Sequence, residues 1–192
     1  RGQESAGIAT ADGRRLFVHT RMGLVAQVFD EPSLANLAGH LAIGHTRYST
    51  MGSSRLVNAQ PIRVTGVWGE MALGHNGNII NAKELRDELE GQGIEFKGSN
   101  DAEVIAQFLG HAPGKTWHEK IRYCMNRFQG AYSLVVLTKD KLIGIRDPMG
   151  IRPLALGKMN GGWVLASESS ALDHIGSEMI REVKPGEAIV ID

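Results

Sequence analysis

Apolar positions follow two rhythms along this chain, and the changes between them divide it into three stretches. In the first, short apolar runs alternate with polar turns. SAGIATA (residues 5–11) reads as a strand, DGRR as a turn and LFVHT (16–20) as a second strand, which is a hairpin signal. EPSLANLAG (31–39) predicts a short helix, with Glu31 and Pro32 suited to a first turn and Gly39 to a stop. LAIGHT (41–46) is another apolar strand, and GEMALGHNGNI (69–79) reads as a strand running into a turn. Between them, Arg47 to Pro61 is long and rich in Ser, Gly and Asn, and a loop of that length is usually functional or disordered.

The middle stretch repeats with a helical period. NAKELRDELEGQG (81–93) predicts a helix capped by Asn81, with Glu84 three residues later and Gly91 as a stop. SNDAEVIAQFLG (99–110) starts polar, carries Val104, Ile105, Phe108 and Leu109, and ends at Gly110. KTWHEKIRYCMNRF (115–128) has an apolar stripe at Trp117, Ile121, Cys124 and Phe128. The last stretch returns to short strands, AYSLVVLT, KLIGIRD, PLALGK, GWVLASE and EAIVID, divided by KD, MGIRP, MNGG and KPG turns. Strands, then helices, then strands predict an α+β fold with mostly antiparallel sheets and helices on their faces. No repeat or composition break marks a second domain.

Composition narrows the function classes. The chain has 192 residues, with Lys plus Arg and Asp plus Glu both 21. A neutral domain has no global field to attract nucleic acid or an acidic membrane, and no stretch approaches the ~18 apolar residues of a span. One cysteine, Cys124, excludes an internal disulfide framework and fits a reducing, cytoplasmic compartment. It lies on a helix stripe and reads as a buried small hydrophobe, not a nucleophile. GHAPGKT (110–116) resembles a phosphate loop but is one residue short and follows a helix, so it reads as a helix-to-helix turn. The seven histidines show no metal-ligand spacing, so no metal site is expected.

Three places carry more. In IGHTRYST, Arg47 and Thr50 stand where a strand gives way to the long loop, and such a pair can hold a carboxylate; the plain alternative is a solvated arginine. In LGHNGNI, Asn76 and Gly77 form either a hairpin turn or an oxyanion hole, built from an amide NH2 and an approachable backbone N–H. In GSNDAEV, Asp101 is either a helix-entry acid or a carboxylate for a substrate ammonium. Together they describe a receptor for an amino acid with a side-chain carbonyl, glutamine or asparagine. The chemistry such a hole supports is acyl transfer, which still needs a nucleophile.

RGQESAGI, GHTRYST, HNGNI, SNDAEVI, GAYSLVVL, RDPMGIRPLALG, ASES and VKPGEAIVI resemble, in this order, the class II glutamine amidotransferases. RGQES, HTRYST and RDPMGIRPLALG resemble most the glutaminase domain of the amidophosphoribosyltransferases, across essentially the whole chain. Glucosamine-6-phosphate synthases more typically show a tyrosine in place of Gln3 and HTRWATHG at the arginine loop. Asparagine synthetases share the RDP stretch but are less like the first three motifs.

The resemblance implies a four-layer αββα sandwich of the N-terminal-nucleophile hydrolase type, incomplete at its N-terminus. Arg47 and Thr50 would hold the glutamine α-carboxylate, Asp101 its α-amino group, and Asn76 and Gly77 the oxyanion. Arg1, Tyr48 and His75 would support the active site, and Arg47 to about Asn58 would form a loop closing on substrate. Asn100 and Ala102 depart from the family's usual neighbours of the acid. The family's nucleophile is a mature N-terminal cysteine whose own α-amine serves as general base. It is expected upstream of Arg1, so these 192 residues alone are expected to be inactive. The phosphoribosyltransferase domain, using Mg2+ with phosphoribosyl pyrophosphate, would follow Asp192. Some members carry an iron–sulfur cluster, with ligands outside this chain, and the family forms homo-oligomers. The alternatives are another class II amidotransferase of the glucosamine-6-phosphate synthase or asparagine synthetase type, or a non-catalytic amino-acid-binding relative.

Overall fold

The opening hairpin forms where the alternation places it. In the computed structural model, which describes residues 4–48 and 55–192, β1 (Ser5–Ala11) pairs antiparallel with β2 (Leu16–Met22). β3 (Leu41–Arg47) adds to the other edge of β1, completing a three-stranded sheet.

The largest sheet has five antiparallel strands. β4 (Ile62–Gly66), β5 (Gly69–Ile79), β6 (Gly130–Thr138) and β7 (Leu142–Arg146) follow one another in space, and β11 (Ala188–Ile191) closes the far edge. Its two faces follow the period of two. Met71, Leu73, Leu134, Val136, Ile143 and Ile145 point to one side. There they meet Leu85 and Leu89 of α3 (Ala82–Gly91), Ile105 and Leu109 of α4 (Asp101–His111), and Ile121 and Cys124 of α5 (Trp117–Met125).

The alternate residues Ala72, Leu137 and Leu142 point the other way, onto Ala9, Ala11, Leu16 and Ile43 of the first sheet. A second three-stranded sheet lies on that same face. It is made of β8 (Ala155–Met159), β9 (Gly162–Ala166) and β10 (Glu178–Glu182), with β8 central. Leu154, Leu156 and Val183 pack there against Val135, Ile189 and Ile191. Short helices cover the outside: α1 (Val25–Val28) on β1 and β2, and α6 (Ser169–His174) on β9 and β10. The layers therefore run helix, sheet, sheet, helix, as expected.

Several local expectations differ. GEMALGHNGNI does not run into a turn at Asn-Gly: β5 continues to Ile79, with Gly77 opposite Tyr132. Gly77 has φ +145°, and a Cβ there would lie 2.1 Å from the Ala131 carbonyl oxygen. The glycine thus allows an unusual strand residue to sit tight against its neighbour. Asn81 stands at the N-cap of α3, as expected, but its side chain makes no capping hydrogen bond. Its amide instead donates to the Arg127 carbonyl (2.8 Å) and accepts from Gln129 N–H (3.1 Å). α3 does end at Gly91, as expected, and the left-handed residue that follows is Gly93. α2 (Glu31–Ala35), capped by Asp30 on Ser33 N–H, ends well before Gly39, which instead turns the chain into β3. No described helix is long and apolar enough to cross a membrane.

Candidate functional site

Where β4 begins decides where a site can form. Ile62 pairs with Leu73, so β5 is covered on that side only up to Leu73. Beyond it one edge of β5 has no paired strand among the described residues. An uncovered edge presents backbone N–H and C=O groups that need other partners.

Side chains supply most of them. His75 N–H donates to Gln60 Oε1 (2.7 Å), and its carbonyl lies 3.0 Å from His45 Nε2. Four residues on, Ile79 N–H donates to Asp101 Oδ2 (3.1 Å). Strand alternation directs the N–H of Gly77, midway between, to the same uncovered side. That side opens into a cleft of about 500 Å³, lined also by Arg47, Asn76, Asp101 and Arg152.

Because a carbonyl only accepts, the His45 ring must carry its proton on Nε2. Its Nδ1 is buried without a partner among the described residues. Burial pulls the His45 pKa down from 6.5 to about 4, helped by the nearby His75 and Arg47 charges and opposed by the bond to the His75 carbonyl. His45 is therefore a neutral clamp between β3 in one sheet and β5 in the other.

Asp101 opens α4, whose cap is the preceding Asn100, accepting from Glu103 N–H (3.1 Å). This leaves the Asp101 carboxylate available for β5 and the cleft. Burial would raise its pKa, but His75, with Nδ1 3.6 Å from Oδ1, and Ile79 N–H outweigh it, so the pKa is lowered. Asp101 stays an anion at neutral pH.

Arg47, at the end of β3, is only 4% exposed and lines the same cleft, with Nη1 3.4 Å from Glu4 Oε2. Tyr48 follows it, exposed at the cleft wall. Arg47, Tyr48, His75, Asn76, Gly77 and Asp101 are thus brought together; Arg1 and Thr50 lie outside the described residues. At the far end of the loop, Asn58 is fully buried. Its Oδ1 accepts from Ser99 N–H (2.9 Å) and its carbonyl from Asn100 Nδ2 (3.1 Å). The loop is therefore anchored to the turn that presents Asp101.

Gln60, His45 and Arg152 were not assigned roles from the sequence. For Arg152 the signal was present in RDPMGIRPL. The buried Asp147 carboxylate accepts from the N–H groups of Tyr132, Met149, Ile151 and Arg152. Arg146 donates to the carbonyls of Gly150 and Arg152 (3.0 and 2.9 Å) and of Val183 (2.6 Å). This pair ties the loop into a knot that delivers Arg152 and Pro153 to the cleft.

Cys124 lies away from the cleft, buried on α5, and desolvation pushes its thiol up to about 12. Residues 112–116 connect α4 to α5, so GHAPGKT is a helix-to-helix turn. Among the described residues no three His, Cys, Asp or Glu side chains gather as a metal site.

A family model described as a glutamine amidotransferase domain matches residues 45–174. Over its whole length the chain is 48% identical to amidophosphoribosyltransferase of Synechococcus elongatus and 43% identical to that of Methanocaldococcus jannaschii. It spans 40% and 41% of those proteins, so the relatives are much longer. A solved structure of glutamine phosphoribosylpyrophosphate amidotransferase from B. subtilis, complexed with ADP and GMP, matches all of this chain with a TM-score of 0.91 at 39% identity; 41% of that chain is covered. The layered sheets are thus the N-terminal-nucleophile hydrolase fold, and the chain belongs to the glutamine amidotransferase domain family.

Proposed function

We propose that this chain is the glutaminase part of an amidophosphoribosyltransferase, releasing ammonia from glutamine for transfer to phosphoribosyl pyrophosphate. The observation that carries this reading is the cleft itself. A buried arginine and an ionised aspartate flank a strand edge whose Gly77 N–H points inward. In this reading Arg47, with Thr50, holds the α-carboxylate, and Asp101 holds the α-ammonium. The side-chain amide carbonyl then reaches Asn76 and Gly77, whose N–H groups stabilise the oxyanion as it forms.

The attacking group in this reading is a cysteine thiol from a segment preceding Arg1, because Cys124 is sealed in the core with a thiol pKa of about 12. Its own α-amine takes the thiol proton and passes it to the leaving nitrogen, so ammonia departs and a thioester remains. Water then hydrolyses the thioester to glutamate and regenerates the thiol. His75 keeps Asp101 charged, and Gln60 and His45 hold β5 in place, so they position the groups that touch glutamine. Magnesium would accompany phosphoribosyl pyrophosphate outside these residues, in a cytoplasmic homo-oligomer.

Isothermal titration of L-glutamine, and of glutaramate lacking the α-amine, tests the reading. The chain should bind glutamine and discriminate against glutaramate. D101N should weaken glutamine by about 2 kcal/mol or more, some thirtyfold, without changing glutaramate. Equal affinities of the wild type for the two ligands, or thioester formation at Cys124, would overturn it.

A further inference from the structure

A second cleft lies at the opposite pole of the sheets. The register places Met71 and Thr138 side by side at one end of β5 and β6, with His75 to Gly77 toward the other. Along β5 this separates the clefts by roughly 15 Å. The β1–β2 turn contributes Arg14 and Arg15, and the β4–β5 turn contributes Trp68. The β6–β7 turn brings Lys139 to Lys141, and the α4–α5 connection and α5 bring Lys115, Trp117 and Lys120. The cleft holds about 530 Å³.

Its charge is at odds with the rest of the molecule. The chain is neutral, yet this lining gathers six cations (Arg14, Arg15, Lys115, Lys120, Lys139 and Lys141) against two carboxylates, Glu70 and Asp140. Glu70 is paired with Arg63, and Asp140 accepts from the Thr138 hydroxyl (3.1 Å). Two further acids nearby are engaged by backbone: Asp12 accepts from Arg14 and Arg15 N–H, and Glu119 from Lys115 N–H. Of the six cations, Lys141 pairs with Asp192, and Arg15 lies over the Phe17 ring with its charge acting on Asp12; Arg14, Lys115, Lys120 and Lys139 have no ion pair among the described residues.

Lys120 is the most telling. It is 1% exposed, and its ammonium stands 4.4 Å from the centroid of the Trp68 ring, which meets Trp117 edge-on at 5.5 Å. A buried cation without an anion is costly unless something supplies one. Burial accordingly lowers the Lys120 pKa. The backbone of GHAPGKT is not a phosphate cradle, since Lys115 N–H is already taken by Glu119. What the cleft offers is side-chain cations around an aromatic wall.

We infer that this cleft binds a small phosphate ester, with the phosphate among Lys115, Lys120 and Lys139 and the organic part against Trp68 and Trp117. Nothing in the glutamine reading requires it, so the two stand or fall separately.

The two tryptophans report on binding directly. In a W163F background, which silences the third tryptophan, phenyl phosphate, inorganic phosphate and phenol are titrated while tryptophan emission is followed. Saturable quenching by phenyl phosphate is expected, with inorganic phosphate weaker and phenol weaker still. K139E and R14E, both at exposed turns, should weaken phenyl phosphate about tenfold or more, with unchanged urea midpoints and unchanged glutamine titration. Quenching that never saturates, or phenyl phosphate affinity unaltered in both charge reversals, would overturn the inference. Equal affinity for phenol and phenyl phosphate would also overturn it, because the cations would then have no part.

Discussion

Protonation of His45 should be a measurable destabilising event at mildly acid pH. In the folded chain its Nε2–H is committed to the His75 carbonyl, and its Nδ1 is buried without a partner among the described residues. A proton added there would have no acceptor and would place a cation beside Arg47 and His75. The folded pKa is about 4 against 6.5 for the free side chain. Between those values the unfolded chain binds a proton that the native chain refuses, so stability falls as pH falls. The full stabilisation is present above about pH 6.5 and lost by about pH 4. Each pH step of one between the two values is worth about 1.36 kcal/mol, so the loss is roughly 3 kcal/mol. Asp101 and Glu187 also have lowered pKa values, but as carboxylates they lose their contribution only as pH falls from their free values of 3.8 and 4.5, at the acid end of this window or below it. The assay is the urea midpoint at a series of pH values from about 8 to 4.5. H45Q keeps an N–H in place of Nε2 and cannot titrate, so it should flatten the slope. A wild-type midpoint independent of pH in this range, or the same slope in H45Q, would refute the reasoning.

Two other outcomes follow from the geometry. G77A should destabilise the domain by about 2–4 kcal/mol, read from urea melts, because the added Cβ meets the Ala131 carbonyl at 2.1 Å on a residue with φ +145°; a loss under ~0.5 kcal/mol would contradict the tight approach of β5 to β6. Cys124, with a thiol near 12, should react with iodoacetamide at about pH 8 roughly a thousandfold more slowly in the native chain than in urea, measured by mass spectrometry; comparable rates would mean that the helix layer opens readily.

The layers were legible because burial on one face writes itself into spacing. Val104, Ile105, Phe108 and Leu109 repeat as α4 requires, and the alternation of Leu134, Val135, Val136 and Leu137 separates the two faces of β6. Asp101 was legible as an acid at a helix entry. Its role was ambiguous until Asn100 proved to be the cap, freeing the Asp101 carboxylate for Ile79 N–H and the cleft. What failed were the capping bond of Asn81 and the turn reading of Asn76–Gly77, both favoured by local chemistry. Long-range demands won in both cases: Asn81 bridges to the residue 127–129 segment, and Gly77 is the residue that can pack against Ala131. β10 and α6 left little signal because their residues are mostly exposed and lack a strong apolar rhythm.

Gln60 and His45 could not be found by residue type, and the reason is general. A glutamine before a proline and a histidine in a strand have many uses. They matter here because β4 starts only at Ile62, so β5 projects beyond its neighbour and its backbone groups need capping from the side. That uncovered edge is a property of pairing between strands, not of any stretch of sequence. The same edge that obliges Gln60, His45 and Asp101 to satisfy residues 75 and 79 leaves Gly77 N–H facing the cleft between them. In the proposed glutaminase reading, that N–H is the backbone donor of the oxyanion hole.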